Sequence, residues 1–502
     1  MNTEQKETSP NPEHQDKDLL SSCRRSDDFI VQNMELDGNG LELQLCYYKT
    51  LVDSRLLELV IHGLQDQLAP RAGLELHDLL RCIPIEETKV EQQTDQVIPL
   101  LLQGNLIIRE HARAEQVIIV PMVGKDGVRG DNDTENEFSV IGPKVGFVEA
   151  LPVNLHLIRM QLRTPNLIIK QMTLGSLSRS TVAILYVEGI AHPENVSRME
   201  ERLRGIDFDV VFDTSQLDQL ITDNSLTPFP LFTTTERRDR VVYALMQGQV
   251  AVISEGSPSI VTGPSTLFDF FVSPEDYYLP WALGSFFRLI RIFGVVFSLF
   301  ASALYVALMT YHYEVVPKEL LGKLIASRQN VPFPPFIEAI FLEITIEFLR
   351  EAGARLPNRI GQTLGVVGGI ILGQAAVEAA LTSNVLIIIV SLSALASFVT
   401  PIYKMSNAIR FLRFPIILLA AIWGALGIAI GLCFLLVHLS RLRSLGSPYM
   451  APFFPLRFKD LTDSLIRASY EVTDTRPSYL KPLSMRRYNP RTSRQTNRLD
   501  EE

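Results

Sequence analysis

The chain has 502 residues, 47% of them hydrophobic and 21% charged, with a formal net charge of −9. That balance excludes an electrostatic nucleic-acid binder, and the length admits two or three domains. The four cysteines (Cys23, Cys46, Cys82, Cys433) lack CxxC spacing, which argues against a disulfide framework or a zinc site and for a reducing compartment.

Residues 1–27 are rich in Gln, Glu, Asp, Lys, Ser and Pro and read as disordered. They contain no apolar core of a signal peptide, so the region before the first apolar segment is expected in the cytosol. Residues 28–130 read as a first soluble α/β subdomain. In it LELQLCYYK (Leu41–Lys49) alternates like a strand, SRLLELVIHGLQDQL (Ser54–Leu68) is an amphipathic helix, and QVIIVPMV (Gln116–Val123) is a short buried strand. The Gly/Asp/Asn-rich stretch Gly124–Phe138 reads as an exposed loop at a boundary.

Residues 131–285 read as a second α/β subdomain. Leu167–Gly175 and Thr181–Gly189 are predicted strands, and Asn195–Ile206 a helix with Asn195 as N-cap. FDVVFD (Phe208–Asp213) is a returning strand, and Arg238–Gly248 a helix feeding the strand VAVIS. Strands alternating with helices of this length suggest βαβ-type layering. No GxGxxG or GxxxxGK[ST] follows any strand, so nothing supports nucleotide binding.

Residues 286–440 read as an all-α polytopic membrane domain of four, possibly five, spans. A spanning helix needs roughly 20 apolar residues, and Ile292–Tyr311, Gly361–Leu381, Val385–Tyr403 and Phe414–Leu439 each supply them. Between the first two lies a charged amphipathic segment, Pro332–Arg359. At about 100° per residue, Glu343, Glu347, Arg350 and Glu351 share one arc, with Glu338 on the far side. This acidic helix fits either an interfacial or re-entrant position, with Glu347–Arg350 and Glu351–Arg355 pairs, or the charged wall of a conducting path.

Gly361, Gly365, Gly369 and Gly373 then form a small-xxx-small ridge, the spacing that lets membrane helices approach closely. Gln374 and Glu378 occupy a separate polar face. The bland alternative is an intrachain helix pair with Glu378 capped near the end of a span. Four spans leave Lys404, Arg410 and Arg413 in an outside loop, whereas five export the C-terminal tail, so the positive-inside rule fails once either way. Residues 441–502 form that tail. It has 12 Lys/Arg against 7 Asp/Glu, which suits anionic lipid and leaves the rest of the chain near −14.

Three classes of function compete on these residues: an oligomeric cation channel, a membrane-anchored scaffold, and an intramembrane enzyme. An anchor needs no glycine ridge or intramembrane carboxylate. Of the histidines only His438, at the very end of Phe414–Leu439, touches an expected span, and His312 directly follows another, so no catalytic cluster forms. No internal repeat suggests a secondary transporter.

The chain resembles the A subunits of the GerA family of spore germination receptors. The likeness rests on GPKVGFVEAL (Gly142–Leu151), LYVEGIA (Leu185–Ala191), TERRDRVVYAL (Thr235–Leu245), SPEDYY (Ser273–Tyr278), Pro332–Pro357 and Gly373–Phe398. Ile141, Arg238 and Gln249 depart from the Arg, Pro and Arg that the family carries there. The resemblance implies a multi-pass protein of the spore inner membrane with its N-terminal region in the cytosol. It implies partners as well: a transporter-like B subunit that receives the germinant, a lipoprotein C subunit, and further copies of itself. Such A subunits look like the channel-forming oligomer that releases monovalent cations. An accessory member of the same family is the near alternative. No cofactor or metal is implied.

Overall fold

The computed structural model describes residues 20–488, apart from 37–40, 67–78, 93–95, 111–115, 124–133, 135–136, 138–140, 356–368 and 370–372. Most of the expected 124–138 loop, Gly361, Gly365 and the last part of the basic tail therefore lie outside the described residues. The chain divides into two compact bodies. One takes the residues up to Ile221 with Thr234–Pro264 and Arg476–Arg487. The other takes Thr222–Thr233 and Ser265–Thr475, with the residues from Tyr488 on.

The first body holds two five-stranded sheets with helices, an α+β arrangement. Strands β1 (Phe29–Leu36), β2 (Leu41–Tyr48), β3 (Lys89–Glu91), β4 (Asn105–Glu110) and β5 (Val117–Pro121) pair in the order β1-β2-β4-β5-β3. Successive residues of β2 point to opposite faces, and both faces are covered. Leu43, Leu45 and Tyr47 pack with Val60 and Leu64 of α1 (Ser54–Asp66). Cys46 and Tyr48 pack with Val97 and Leu101 of α2 (Val97–Leu101).

The second sheet has the order β6-β7-β9-β10-β8, from β6 (Leu167–Leu174), β7 (Ser180–Val187), β8 (Thr233–Thr235), β9 (Val250–Ser254) and β10 (Ile260–Gly263). Its core joins α3 (Leu151–Gln161) and α6 (Arg238–Gln247) to the strands through Leu155, Ile158, Val241 and Leu245. Helices α4 (Pro193–Arg204) and α5 (Thr214–Ile221) also pack on β9.

Three expectations are corrected here. The pairs β6–β7, β7–β9 and β9–β10 are antiparallel, so the layering is not βαβ. Only Gly175–Arg179 separates β6 from β7, too short for the dozen or more residues of a parallel crossover. FDVVFD forms no strand, because its backbone is spent on the β6–β7 turn. Ser176 N–H donates to Phe208 O (3.0 Å) and Ser178 N–H to Asp209 O (3.1 Å). Helix α4 starts at Pro193 with His192 as N-cap, because proline's fixed φ suits the first helical position. Asn195 is instead buried inside the first turn. Arg238 opens α6 as expected.

One buried ion pair joins the two sheets. The guanidinium of Arg159 is bidentate on Asp28, with Nη2–Oδ1 at 2.7 Å and Nε–Oδ2 at 3.2 Å. It also donates to Ser26 Oγ (3.0 Å) and Leu167 O (3.0 Å), and it lies over the Tyr48 ring. The segment before β1 is thereby laid along β6: Asp27 N–H donates to Ile169 O (2.9 Å), and Ile169 N–H donates to Ser26 Oγ (3.0 Å).

The second body is helical, and its contacts fix the direction of every long helix. It comprises α7 (Trp281–Thr310), α8 (Lys318–Arg328), α9 (Pro335–Arg355), α10 (Asn384–Ser397), α11 (Tyr403–Trp423) and α12 (Ala425–Arg441). The expected Phe414–Leu439 span is broken at Gly424, whose φ of +61° turns the chain between α11 and α12. A Cβ on Gly427 would lie 2.0 Å from Leu419 O, so this hairpin closes only around glycine. Lys404, Arg410 and Arg413 belong to α11 rather than to a loop.

Going up α7, Gly294 lies against Ala396, Ser298 O accepts from Ser393 Oγ (3.0 Å), and Tyr305 Oη meets Ser383 Oγ (3.0 Å). Helix α10 therefore runs antiparallel to α7. Ser298 meets Arg413, and Tyr311 Oη donates to Ile422 O (2.9 Å), so α11 runs parallel to α7. The 20 residues from Arg291 to Thr310 rise about 30 Å, the thickness of bilayer hydrocarbon.

At the base of α7, Asp276 of SPEDYY sits between Arg288 (3.2 Å) and Arg291 (2.9 Å), and Arg288 also reaches Asp463 (3.2 Å). Residues after α12 are thus fastened to the helix base, and the first part of the expected tail is not free.

Removing one partner of a buried pair costs about 3–5 kcal/mol. Arg159→Ala should lower stability by that order and expose the 20–29 segment, read as earlier thermal unfolding and faster proteolysis there. Wild-type protease resistance at that segment would refute its dependence on Arg159.

Candidate functional site: paired charges and an uncovered glycine face

Helix α9 carries its carboxylates into the bundle, and an arginine meets each of the first three. Glu338, fully buried, is bound by Arg328 (2.7 Å) and accepts from the Ser383 N–H (3.1 Å). One turn and a half further on, Glu343 pairs with Arg413, both side chains being 1% exposed. Ser302 Oγ donates to Glu343 (2.6 Å), and Arg413 donates to Ser298 Oγ (2.6 Å). Glu347 then pairs with Arg410 (2.9 Å) and with Arg350 (3.5 Å). Arg350 caps the series, donating to Ser397 Oγ (3.0 Å) and lying 4.3 Å from the Phe398 ring centroid.

These contacts decide what the acidic helix can do. In apolar surroundings a lone carboxylate is expensive, and a partner with further hydrogen bonds offsets the cost. The spacing Glu343/Glu347 on α9 matches Arg413/Arg410 on an antiparallel α11, so two charge pairs form on successive turns. The expected Glu347–Arg350 and Glu351–Arg355 (2.6 Å) pairs are present, the latter exposed. Glu338, Glu343 and Glu347 are therefore neutralised within this chain and do not stand bare along a path.

Sequence reading missed Arg410 and Arg413, assigning them to a loop. The available signal was that basic groups three residues apart in an apolar stretch require acidic partners at helical spacing.

The predicted glycine face is different. Gly369 and Gly373 have nothing within 4 Å of an added Cβ among the described residues. Gln374 Nε2 donates to Glu378 Oε1 (2.8 Å), and both side chains are exposed. Glu378 thus meets the other polar group of its own face and, in this respect, is unlike the carboxylates of α9.

Arg413→Ala leaves the Glu343 carboxylate buried without its cation. It should cost about 3–5 kcal/mol and lower the amount of membrane-inserted protein several-fold, measured by quantitative immunoblot of membranes. Glu343→Met with Arg413→Met should restore most of it. A double variant as scarce as the single one would show that the pair has a role beyond mutual neutralisation.

Against known proteins, the model of the family described as Bacillus/Clostridium GerA spore germination protein matches residues 17–479. Spore germination protein GerQA of Bacillus cereus is 44% identical over 474 residues, covering 94% of each chain. Spore germination protein GerIA of Bacillus cereus is 42% identical, over 93% of this chain and 70% of its own. Spore germination protein A1 of Bacillus subtilis is 38% identical, over 89% of this chain and 92% of its own. The crystal structure of the N-terminal domain of the A subunit of the Bacillus megaterium spore germinant receptor GerK3 aligns at 21% identity. Its TM-score is 0.37, covering 51% of this chain and 95% of that one.

Proposed function

We propose a function from one premise: this chain belongs to the GerA family of Bacillus/Clostridium spore germination proteins, as a germination-receptor A subunit in the membrane. In the proposed role it sits in the inner membrane of the dormant spore with its sheet-bearing body in the cytosol. A B-type subunit receives the germinant, a C-type lipoprotein completes the complex, and several copies of this chain enclose a path for monovalent cations. Germinant binding opens that path.

The observation that carries this reading is the uncovered face of Gly369, Gly373, Gln374 and Glu378. Membrane helices associate through small residues that let backbones approach, and an intramembrane carboxylate must face protein or water. A second copy against the glycines and a hydrated path beside Glu378 meet both requirements. The α9 carboxylates fit a different task, because each is held by an arginine of the same chain. They keep the wall of the bundle rigid, and Glu378 is the group left to attract a cation.

The test is nutrient-triggered potassium release from spores. Gly369→Leu should insert normally, since its side chain meets no described neighbour in the single chain, yet slow release by at least about tenfold, equivalent to ~1.4 kcal/mol. Glu378→Gln should change the rate or the potassium/sodium preference. Normal release in both variants would sink the reading.

A further inference from the structure

We infer that the helical body crosses the bilayer six times, with the acidic helix α9 and the glycine segment after it as two of the full crossings. This rests on the membrane reading above and replaces the four or five spans counted from hydropathy. Three independent observations support it.

The first is helix direction. With α7 taken as ascending, Glu338 meets Ser383 at the level of Tyr305, Glu343 meets Ser302, and Arg350 meets Ser397, whose neighbour Ala396 lies against Gly294. Helix α9 therefore descends past the same stretch of α7 that α10 descends past. Its lower end is near the base of the bundle, while α10 begins near the top. The chain between Arg355 and Ser383 has to climb back, and its Gly361–Leu381 run has the length and apolarity for the climb. Helix α11 ascends from Tyr403, and α12 descends, since Gly427 and Gly431 lie against Leu419 and Ile416. The crossings are α7, α9, the glycine segment, α10, α11 and α12.

The second observation is where the chain goes after α12. Residues Arg476–Arg487 belong to the same compact body as the sheets. Leu483 N–H donates to Ile190 O (3.0 Å), and Arg476 Nε donates to Met246 O (2.7 Å). A segment held this way is on the side from which α7 departs, so the number of crossings is even. That excludes five.

The third is charge. Six crossings place Arg288, Arg291, Arg355, Arg359, Lys404, Arg441 and Arg443 at the base, and only Lys318, Lys323 and Arg328 at the top. Seven against three satisfies the positive-inside rule with the sheet-bearing body in the cytosol. Four crossings instead put Lys404, Arg410, Arg413, Arg355 and Arg359 outside. The conflict that hydropathy left is removed because Arg410 and Arg413 lie inside a crossing, bound to Glu347 and Glu343. The two tryptophans agree: Trp281 opens α7 at the base and Trp423 closes α11 at the top, the interfacial positions tryptophan favours.

The full-length protein in oriented membrane vesicles tests this with a membrane-impermeant maleimide. Cys82 and Cys433 are replaced by serine. Cys23 and Cys46 stay, being buried, with the Cys46 thiol pushed up to about 11 by burial. Four single cysteines are compared: Leu177→Cys on the sheet-bearing body, Asn330→Cys between α8 and α9, Asn358→Cys after α9, and Lys404→Cys at the start of α11. Six crossings require Asn358→Cys and Lys404→Cys to label from the same face as Leu177→Cys, and Asn330→Cys from the opposite face alone. Labelling of Asn358→Cys together with Asn330→Cys would show that α9 does not cross. Labelling of Lys404→Cys from that opposite face would restore four spans. Either result overturns the inference and leaves the receptor reading intact, whereas labelling of all four from either face alone would remove the membrane reading itself.

Discussion

Arg159, Arg288 and Arg413 are the largest fully buried side chains among the described residues. A guanidinium cannot lose its charge, so each must find a carboxylate and further acceptors when water is removed. That requirement fixes where segments distant in sequence come together. Arg159 takes Asp28 and ties the first sheet to the edge of the second. Arg288 takes Asp276 and Asp463 and ties the entry of the helical body to the chain that leaves it. Arg413 takes Glu343 and ties α9 to α11 in the middle of the bundle. Apolar burial supplies most of the favourable free energy, but it is non-directional. The buried pairs supply the register.

The helical body shows why that register matters for a membrane protein. Apolar side chains facing lipid do not select one neighbour over another, and helix association depends on small residues and polar contacts. Here the two are separated. Polar contacts are satisfied inside one chain, where Glu338, Glu343 and Glu347 meet Arg328, Arg413 and Arg410. Small residues at Gly369 and Gly373 are left open. The first set holds the helices of one chain in register, and the second, in the role proposed above, is the face offered to another copy.

Much of this is legible in the residues alone. Strands β2, β5, β6 and β7, helices α1 and α6 and the apolar start of the helical body all fall where periodicity places them, because each reports a local rule. Misreadings arise where local and non-local demands part. FDVVFD alternates like a strand, yet its backbone groups are taken by the Gly175–Arg179 turn. Phe414–Leu439 reads as one span because hydropathy is blind to a turn that needs only Gly424 and the close approach at Gly427. Arg410 and Arg413 read as a loop because no window of sequence contains the glutamates, 63 and 70 residues earlier, that make them tolerable inside the bundle.

By itself, then, the sequence determined the family, the succession of a sheet-bearing region and an apolar helical region, and the glycine and acidic faces. All of these depend on residue type and spacing along one element. Only the tertiary structure decided that the sheets are antiparallel, that the acidic helix is neutralised from α11, that the chain returns after α12 to the body it left, and that two of the ridge glycines remain open. Each of those depends on which distant element arrives at a given side chain, and the free energy of a buried charge is set by that arrival rather than by its neighbours in the chain.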